Sequence, residues 1–283
     1  MSSDRRLWDR RSVLGLGAAA FAGAVGAPAL FGQTRGLERI GLQLYTLRTQ
    51  MAKDSSATLA KVAELGFREV EFAGYHDHSP AAVRRMLDAN GLSAPAAHTL
   101  IGPLENDLDR LIDECLEIGH RYLVMAYLLP NQRELRLYDR HVDVLLRAGE
   151  RCRAAGLRLA YHNHDFEFVA ADGVVPFDLL LERVPAELMA MELDLYWIQK
   201  AGADPFAYFA KAPGRFELFH VKDMQRSTGG FTEVGSGTVP FTEIYARAEQ
   251  AGVRHSFVEQ DIISGDPWVS LQKSIAYLRN LRV

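Results

Sequence analysis

The stretch KVAELGFREVEF, Lys61 to Phe72, decides the fold. Apolar residues at helical spacing run to Leu65, a glycine follows at once, and a short strand pattern begins behind it. A glycine suits the residue after a helix's last turn, where positive φ costs it little. The same beat returns in RMLDANGLSAPAAH (Arg85–His98), DECLEIGHRYLVMA (Asp113–Ala126), RCRAAGLRLAYH (Arg151–His162) and ARAEQAGVRHSFVE (Ala246–Glu259). Gly66, Gly91, Gly119, Gly156 and Gly252 are therefore read as helix ends. The strands behind them are short and nearly continuous in apolar residues, as in a parallel sheet covered on both faces.

RIGLQLYT (Arg39–Thr46) opens the series, and ELMAMELD (Glu187–Asp194) and RFELFHVKD (Arg215–Asp223) bring the strands to eight. Eight βα units in ~250 residues predict an α/β chain folded as a (β/α)8 TIM barrel. An open doubly wound sheet is the rival. It would carry a Gly-rich phosphate turn after its first strand, where this chain has QLYTLRTQ (Gln43–Gln50). No linker or low-complexity run interrupts the pattern, so one barrel domain is expected over residues 38–283.

The N-terminus reads differently. Arg10 and Arg11 precede an Ala/Gly-rich apolar run and the small-residue pattern Ala27-Pro28-Ala29. Residues 1–29 are expected to be a twin-arginine signal peptide, sending the protein to the periplasm or beyond. A membrane anchor is the rival, but the run is short and glycine-rich for a bilayer span. The formal charge is −4, and −6 without residues 1–29, which hold four Arg and two Asp. A mildly acidic chain with no basic run argues against nucleic acid and anionic membrane as partners. Cys115 and Cys152 both fall in helical patterns, and helix packing explains them better than a disulfide framework.

Catalytic groups in such a barrel stand at the C-terminal strand ends, on inward residues spaced two apart. This rule selects Gln43 and Tyr45 on the first strand, Glu69 and Glu71 on the second, and His98 on the third. It selects His162 and His164 on the fifth, Glu192 and Asp194 on the sixth, His220 and Lys222 on the seventh, and Glu259 and Asp261 on the eighth. The fourth strand, YLVMAYL, offers almost nothing polar. His162, Asp194, His220 and Glu259 lie on consecutive strands and form a mixed N/O set suited to Mn, Co, Fe or Zn as a divalent cofactor.

FHVKD (Phe219–Asp223), MELDLYW (Met191–Trp197), FVEQD (Phe257–Asp261) and the opening GLQLYTLR (Gly41–Arg48) resemble the xylose isomerase-like TIM barrels, the sugar phosphate isomerase/epimerase superfamily. That resemblance implies a divalent metal held by Glu, Asp, His and Glu from strands five to eight, with Asp194, His220 and Glu259 at the last three positions. It departs at strand five, where YHNHDF has His162 in place of the glutamate. Ketose epimerases of the family use two glutamates as opposed bases, so loss of one puts symmetric proton exchange in doubt. Members with YHNH or YHHH there include inosose dehydratase-like proteins and enzymes acting on 3-keto-glycosides.

The resemblance implies a metal-dependent enzyme that removes a proton next to a sugar carbonyl, with a small carbohydrate as partner and an oligomer possible. An isomerase/epimerase outcome and a lyase or hydratase outcome share that first step. Glu259 or His164 is expected to be the base, although His164 also reads as a structural histidine. Lys222 is expected either to neutralise an enolate oxygen or to pair with Glu192. Gln43, Tyr45, Glu71, His98 and Glu192 are candidate contacts for sugar hydroxyls, and Trp197 for a sugar face or for the core. Asp165 and Glu167 are placed in the loop after strand five, either supporting the site or solvated. The Gly-rich EVGSGTVPF (Glu233–Phe241) reads as an anion cradle, a lid or a plain turn. Endonuclease-like phosphodiesterases of the superfamily are set aside by the acidic charge. A sugar-binding barrel without catalysis stays open.

Overall fold

A computed structural model describes residues 40–283; the expected signal segment 1–29 and the start of the domain at 38 lie outside the described residues. The barrel strands are β1 Gly41–Gln43, β2 Glu69–Phe72, β3 Ser93–Thr99, β4 Tyr122–Met125, β5 Arg158–His162, β6 Met189–Asp194, β7 Leu218–Val221 and β8 His255–Val258. All neighbours pair in parallel, and β8 closes on β1 through Gly41 opposite Phe257 and Leu42 opposite Val258. Helices separate successive strands, among them Ser55–Leu65, Pro80–Asn90, Leu108–Ile118, Tyr138–Ala154 and Pro176–Arg183, and Pro267–Asn280 follows β8. The expected barrel is the observed one. The five glycines read as helix ends take φ between 60° and 97°.

The barrel interior is layered. An apolar floor consists of Ala96, Tyr122, Val124, Ala160, Ala190, Leu218 and Phe257, all buried. Gly41 faces the Phe257 ring, and a Cβ there would lie 2.4 Å from it, so the floor has no room for a side chain on β1. One residue pair further along six of the strands the inward positions turn polar: Gln43, Glu71, His98, His162, Glu192 and His220. Alternation along the strands thus stacks the polar residues on an apolar base, at the end where the βα loops leave.

After β7 the chain forms a small antiparallel ribbon, Asp223–Met224 with Phe231–Thr232, before it reaches β8. Cys115 and Cys152 are buried, unpaired, and lie in helices as expected. No helix among the described residues is long and apolar enough to cross a membrane.

Candidate metal centre

His162, Asp194, His220 and Glu259 meet above the floor, all buried, with one donor atom of each within 4.8 Å of the others. Each is held by its own element. Asp194 ends β6 and caps the helix Leu195–Lys200. Its Oδ1 accepts from the backbone N–H groups of Tyr196 and Trp197 at 3.0 and 2.9 Å, which leaves Oδ2 for the centre. Asn163, the residue after β5, fixes the same strand end, its Oδ1 accepting from the Asp194 N–H at 3.0 Å. His220 presents Nδ1 to Glu259 Oε2 at 2.7 Å and to Asp194 Oδ2 at 3.8 Å.

The state of His162 tests whether a cation fits this set. Its Nδ1 lies 3.0 Å from the Ala126 carbonyl, which can only accept, so Nδ1 bears the proton. Burial, then the nearby His220, pushes the imidazole down to about 4, which keeps it neutral. Its Nε2 lone pair therefore faces Asp194 Oδ2 at 3.2 Å, acceptor against acceptor. Such a contact is repulsive unless a cation lies between the two atoms. A histidine whose other N–H is anchored on a carbonyl is also the usual form of a metal ligand. The residues fit a divalent ion. Strand four, which looked chemically silent, supplies the orienting carbonyl of Ala126.

Lys222 does not pair with Glu192. Its Nζ lies 2.8 Å from Glu259 Oε2, 3.1 Å from Asp194 Oδ2 and 3.0 Å from Asp261 Oδ1, because residues 220 and 222 point to the same interior but at different heights. Burial would lower the ammonium, yet Asp194, Glu259 and Asp261 together hold it well above its ordinary range. Burial likewise opposes ionisation of Glu259, but Lys222 and His220 outweigh it and keep the carboxyl well below the usual carboxylate range. Burial, then Glu259, raises Asp261 to about 6. Asp261 was visible at the end of strand eight but was not assigned a role; its spacing from Glu259 was the available signal.

Beneath His220 lies a second polar set. Glu71 Oε2 is 2.6 Å from His220 Nε2, and Glu192 Oε2 is 2.9 Å from His98 Nε2. Gln43 Nε2 donates to Glu71 Oε2 at 2.6 Å. Gln43, Glu71 and Glu192 are fully buried. Four of the expected sugar contacts thus meet one another under the metal set.

The remaining expected residues surround the mouth. Tyr45 is not on β1, which ends at Gln43: Gln43 Oε1 accepts from the Tyr45 N–H and starts a 3-10 turn, Leu44–Leu47. Tyr45 is exposed there, with the Arg48 guanidinium 4.5 Å from its ring centre. His164 sits among aromatic rings, with centroids 4.7 Å from Tyr127 and 5.1 Å from Trp197. Burial, then His162, pushes it well below its ordinary value, so it is neutral. His164 Nδ1 and Trp197 Nε1 are buried without hydrogen-bond partners among the described residues. Trp197 has the Lys200 and Lys222 ammonium groups 4.5 and 5.7 Å from its ring centre. Asp165 pairs with Lys200 at the surface. Glu167 is not solvated at all: it is fully buried, accepting from the Tyr161 hydroxyl at 3.0 Å and the His164 N–H at 2.8 Å.

The Gly-rich loop proves to be a cradle for the chain's own anion. Asp223 Oδ2 accepts from the N–H groups of Gly235 and Gly237 at 2.9 and 2.8 Å, and Oδ1 from Met224 and Val239 at 2.8 and 3.1 Å. A bound phosphate is not needed to explain it.

The family model for the xylose isomerase-like TIM barrel matches residues 59–281. The chain belongs to that family. Among curated proteins, an inosose dehydratase of Geobacillus kaustophilus is 23% identical over 268 residues, covering 79% of this xylose isomerase-like chain and 86% of the relative. Among solved structures, a sugar phosphate isomerase/epimerase from Parabacteroides distasonis superposes with a TM-score of 0.74 at 23% identity, covering 91% of this chain and 98% of that one. The IolI protein with a bound zinc atom gives a TM-score of 0.68 at 13% identity, over 84% of this chain and 95% of its own. These similarities carry the fold.

Proposed function

We propose that this protein is a divalent-metal-dependent enzyme acting on a keto-sugar or an inosose-type keto-polyol, removing the proton next to the carbonyl and eliminating a leaving group. The observation that carries the reading is His162, with Nδ1 fixed on Ala126 and its Nε2 lone pair turned at Asp194. An ion held by His162, Asp194, His220 and Glu259 would polarise the ketone as a Lewis acid and acidify the neighbouring C–H. The similarity to an inosose dehydratase and to a zinc-binding barrel supports the substrate class and the metal.

The chain's own residues divide the remaining work. His164, whose buried Nδ1 has no hydrogen-bond partner among the described residues, and Glu259 are the two proton acceptors that face the centre. Glu259 is held ionised by Lys222, whose Nζ lies 2.8 Å from its Oε2. Lys222 holds the developing oxyanion. As the C–H electron pair forms the new double bond, the C–O bond breaks, and Asp261, raised to about 6, gives the departing oxygen its proton. Two-sided exchange of the epimerase kind needs a second base where His162 stands, and both of its nitrogens are committed.

Proton NMR in D2O tests the scheme. Metal-loaded protein should convert an inosose or a 3-keto-glucoside to its unsaturated elimination product. Rapid deuterium uptake by a ketohexose with clean C3 inversion, and no elimination product, would instead establish the epimerase.

A further inference from the structure

Four atoms under the metal set close a ring. Glu71 Oε2 lies 2.6 Å from His220 Nε2, which lies 3.2 Å from Glu192 Oε2. That oxygen is 2.9 Å from His98 Nε2, and His98 Nε2 returns to Glu71 Oε2 at 3.2 Å. Carboxylate oxygens and imidazole nitrogens alternate around the ring, so two N–H donors and two acceptors satisfy one another in a region with almost no access to water. His220 is fully buried, as are both glutamates.

His220 belongs to both sets, and as a ligand to a cation it would be a neutral imidazole with only one lone pair. The two nitrogens are therefore not equivalent. The upper set holds the unresolved acceptor contact between His162 and Asp194, so the cation belongs there, on the Nδ1 side. The lower ring holds no such conflict. Glu71 Oε2 already receives three donors, since Gln43 Nε2 joins the two imidazoles at 2.6 Å. With Nε2–H directed at Glu71, the lone pair of His220 is on Nδ1.

We propose that Glu71, supported by Gln43, His98 and Glu192, is a positioning residue: it fixes the tautomer and rotation of His220 so that Nδ1 faces the cation. This rests on the metal reading above. A carboxylate behind a ligating histidine sets the ring's orientation and increases its basicity, and its loss weakens metal binding by about 10- to 100-fold. Glu71 Oε1 and Glu192 Oε1 have no hydrogen-bond partner among the described residues, so a second cation on the ring is the competing arrangement.

The test is Glu71→Gln, which keeps size and an acceptor but removes the charge, with its fold checked by circular dichroism. Two readouts are taken: Zn2+ affinity and stoichiometry by equilibrium dialysis, and the hydrogen-bonded imidazole N–H proton in the NMR spectrum, assigned by its absence in His220→Gln. Wild type should bind one equivalent, and Glu71→Gln one equivalent about 10- to 100-fold more weakly. The His220 N–H resonance, far downfield in wild type because of the 2.6 Å bond, should move upfield. Unchanged affinity with an unmoved resonance overturns the proposal. So do two equivalents in wild type of which Glu71→Gln loses one, because the ring is then an ion site. Should wild type bind no ion, the metal reading falls, and the resonance alone decides the tautomer: a shift supports the ring's role and no shift refutes it.

Discussion

Glu167 is the residue whose burial departs furthest from its sequence setting. In YHNHDFEF it reads as a loop carboxylate, yet it is enclosed, held by Tyr161 and by the His164 backbone, and burial raises it to about 8 from 4.5. The folded protein therefore keeps a proton there that the unfolded chain releases above about pH 4.5. The associated stability is fully present below that pH and is lost as pH rises through about 8. Glu167→Gln should be within about 1 kcal/mol of wild type in thermal unfolding at pH 5 and be the more stable of the two at pH 8, by about 3–5 kcal/mol for a rise from 4.5 to about 8 at about 1.4 kcal/mol per pH unit. A variant that follows wild type at both pH values would show an ionised, solvated Glu167. Alternation with period two was enough to find His162 as a strand-end residue. Its tautomer was not legible, because it depends on a backbone carbonyl of Ala126, and every residue has one. The partner of Lys222 stayed open between two readings for a related reason: alternation gives the face of a side chain and leaves its height along the barrel open.

Among the elements, the β7–β8 connection shows how local sequence misleads and then explains itself. Glycines at 235 and 237 suggested an anion site, and the anion is Asp223, from the same FHVKD motif that supplies His220 and Lys222. The motif thus serves the barrel interior with its inward residues and fastens the loop with Asp223. Gly237 is required for space, since a Cβ would lie 2.3 Å from both Asp223 Oδ1 and the Met224 carbonyl oxygen. Gly237→Ala should cost about 1–3 kcal/mol in chemical denaturation, the usual penalty of overpacking. Gly265→Ala, with nothing within 4 Å of its Cβ, is the control and should stay within about 0.5 kcal/mol of wild type. Equal stability of the two variants would mean that the loop does not grip Asp223. The 3-10 turn at Tyr45 was beyond the sequence as well: an apolar-aromatic run such as LQLYTL continues equally well as strand, and only the cap by the Gln43 side chain ends it.

At the scale of the whole molecule, the barrel was legible because its signal is repeated: the helix-Gly-strand beat needs no single residue to be read correctly. The site was legible as far as alternation and barrel closure reach, since both place strand ends on one mouth. The division of that mouth into an upper set around Nδ1 of His220 and a lower ring around Nε2 was hidden, because it depends on which neighbours a single imidazole meets in three dimensions. The central claim is that His162, Asp194, His220 and Glu259 form one cation site. Metal analysis of wild type and His220→Ala, each loaded with Zn2+ and passed over a desalting column, tests it most directly. The account predicts about one ion per wild-type chain and a clearly smaller retained fraction in a still-folded His220→Ala, since the variant loses one of the four ligands. Full occupancy in the variant, or none in wild type, would contradict it.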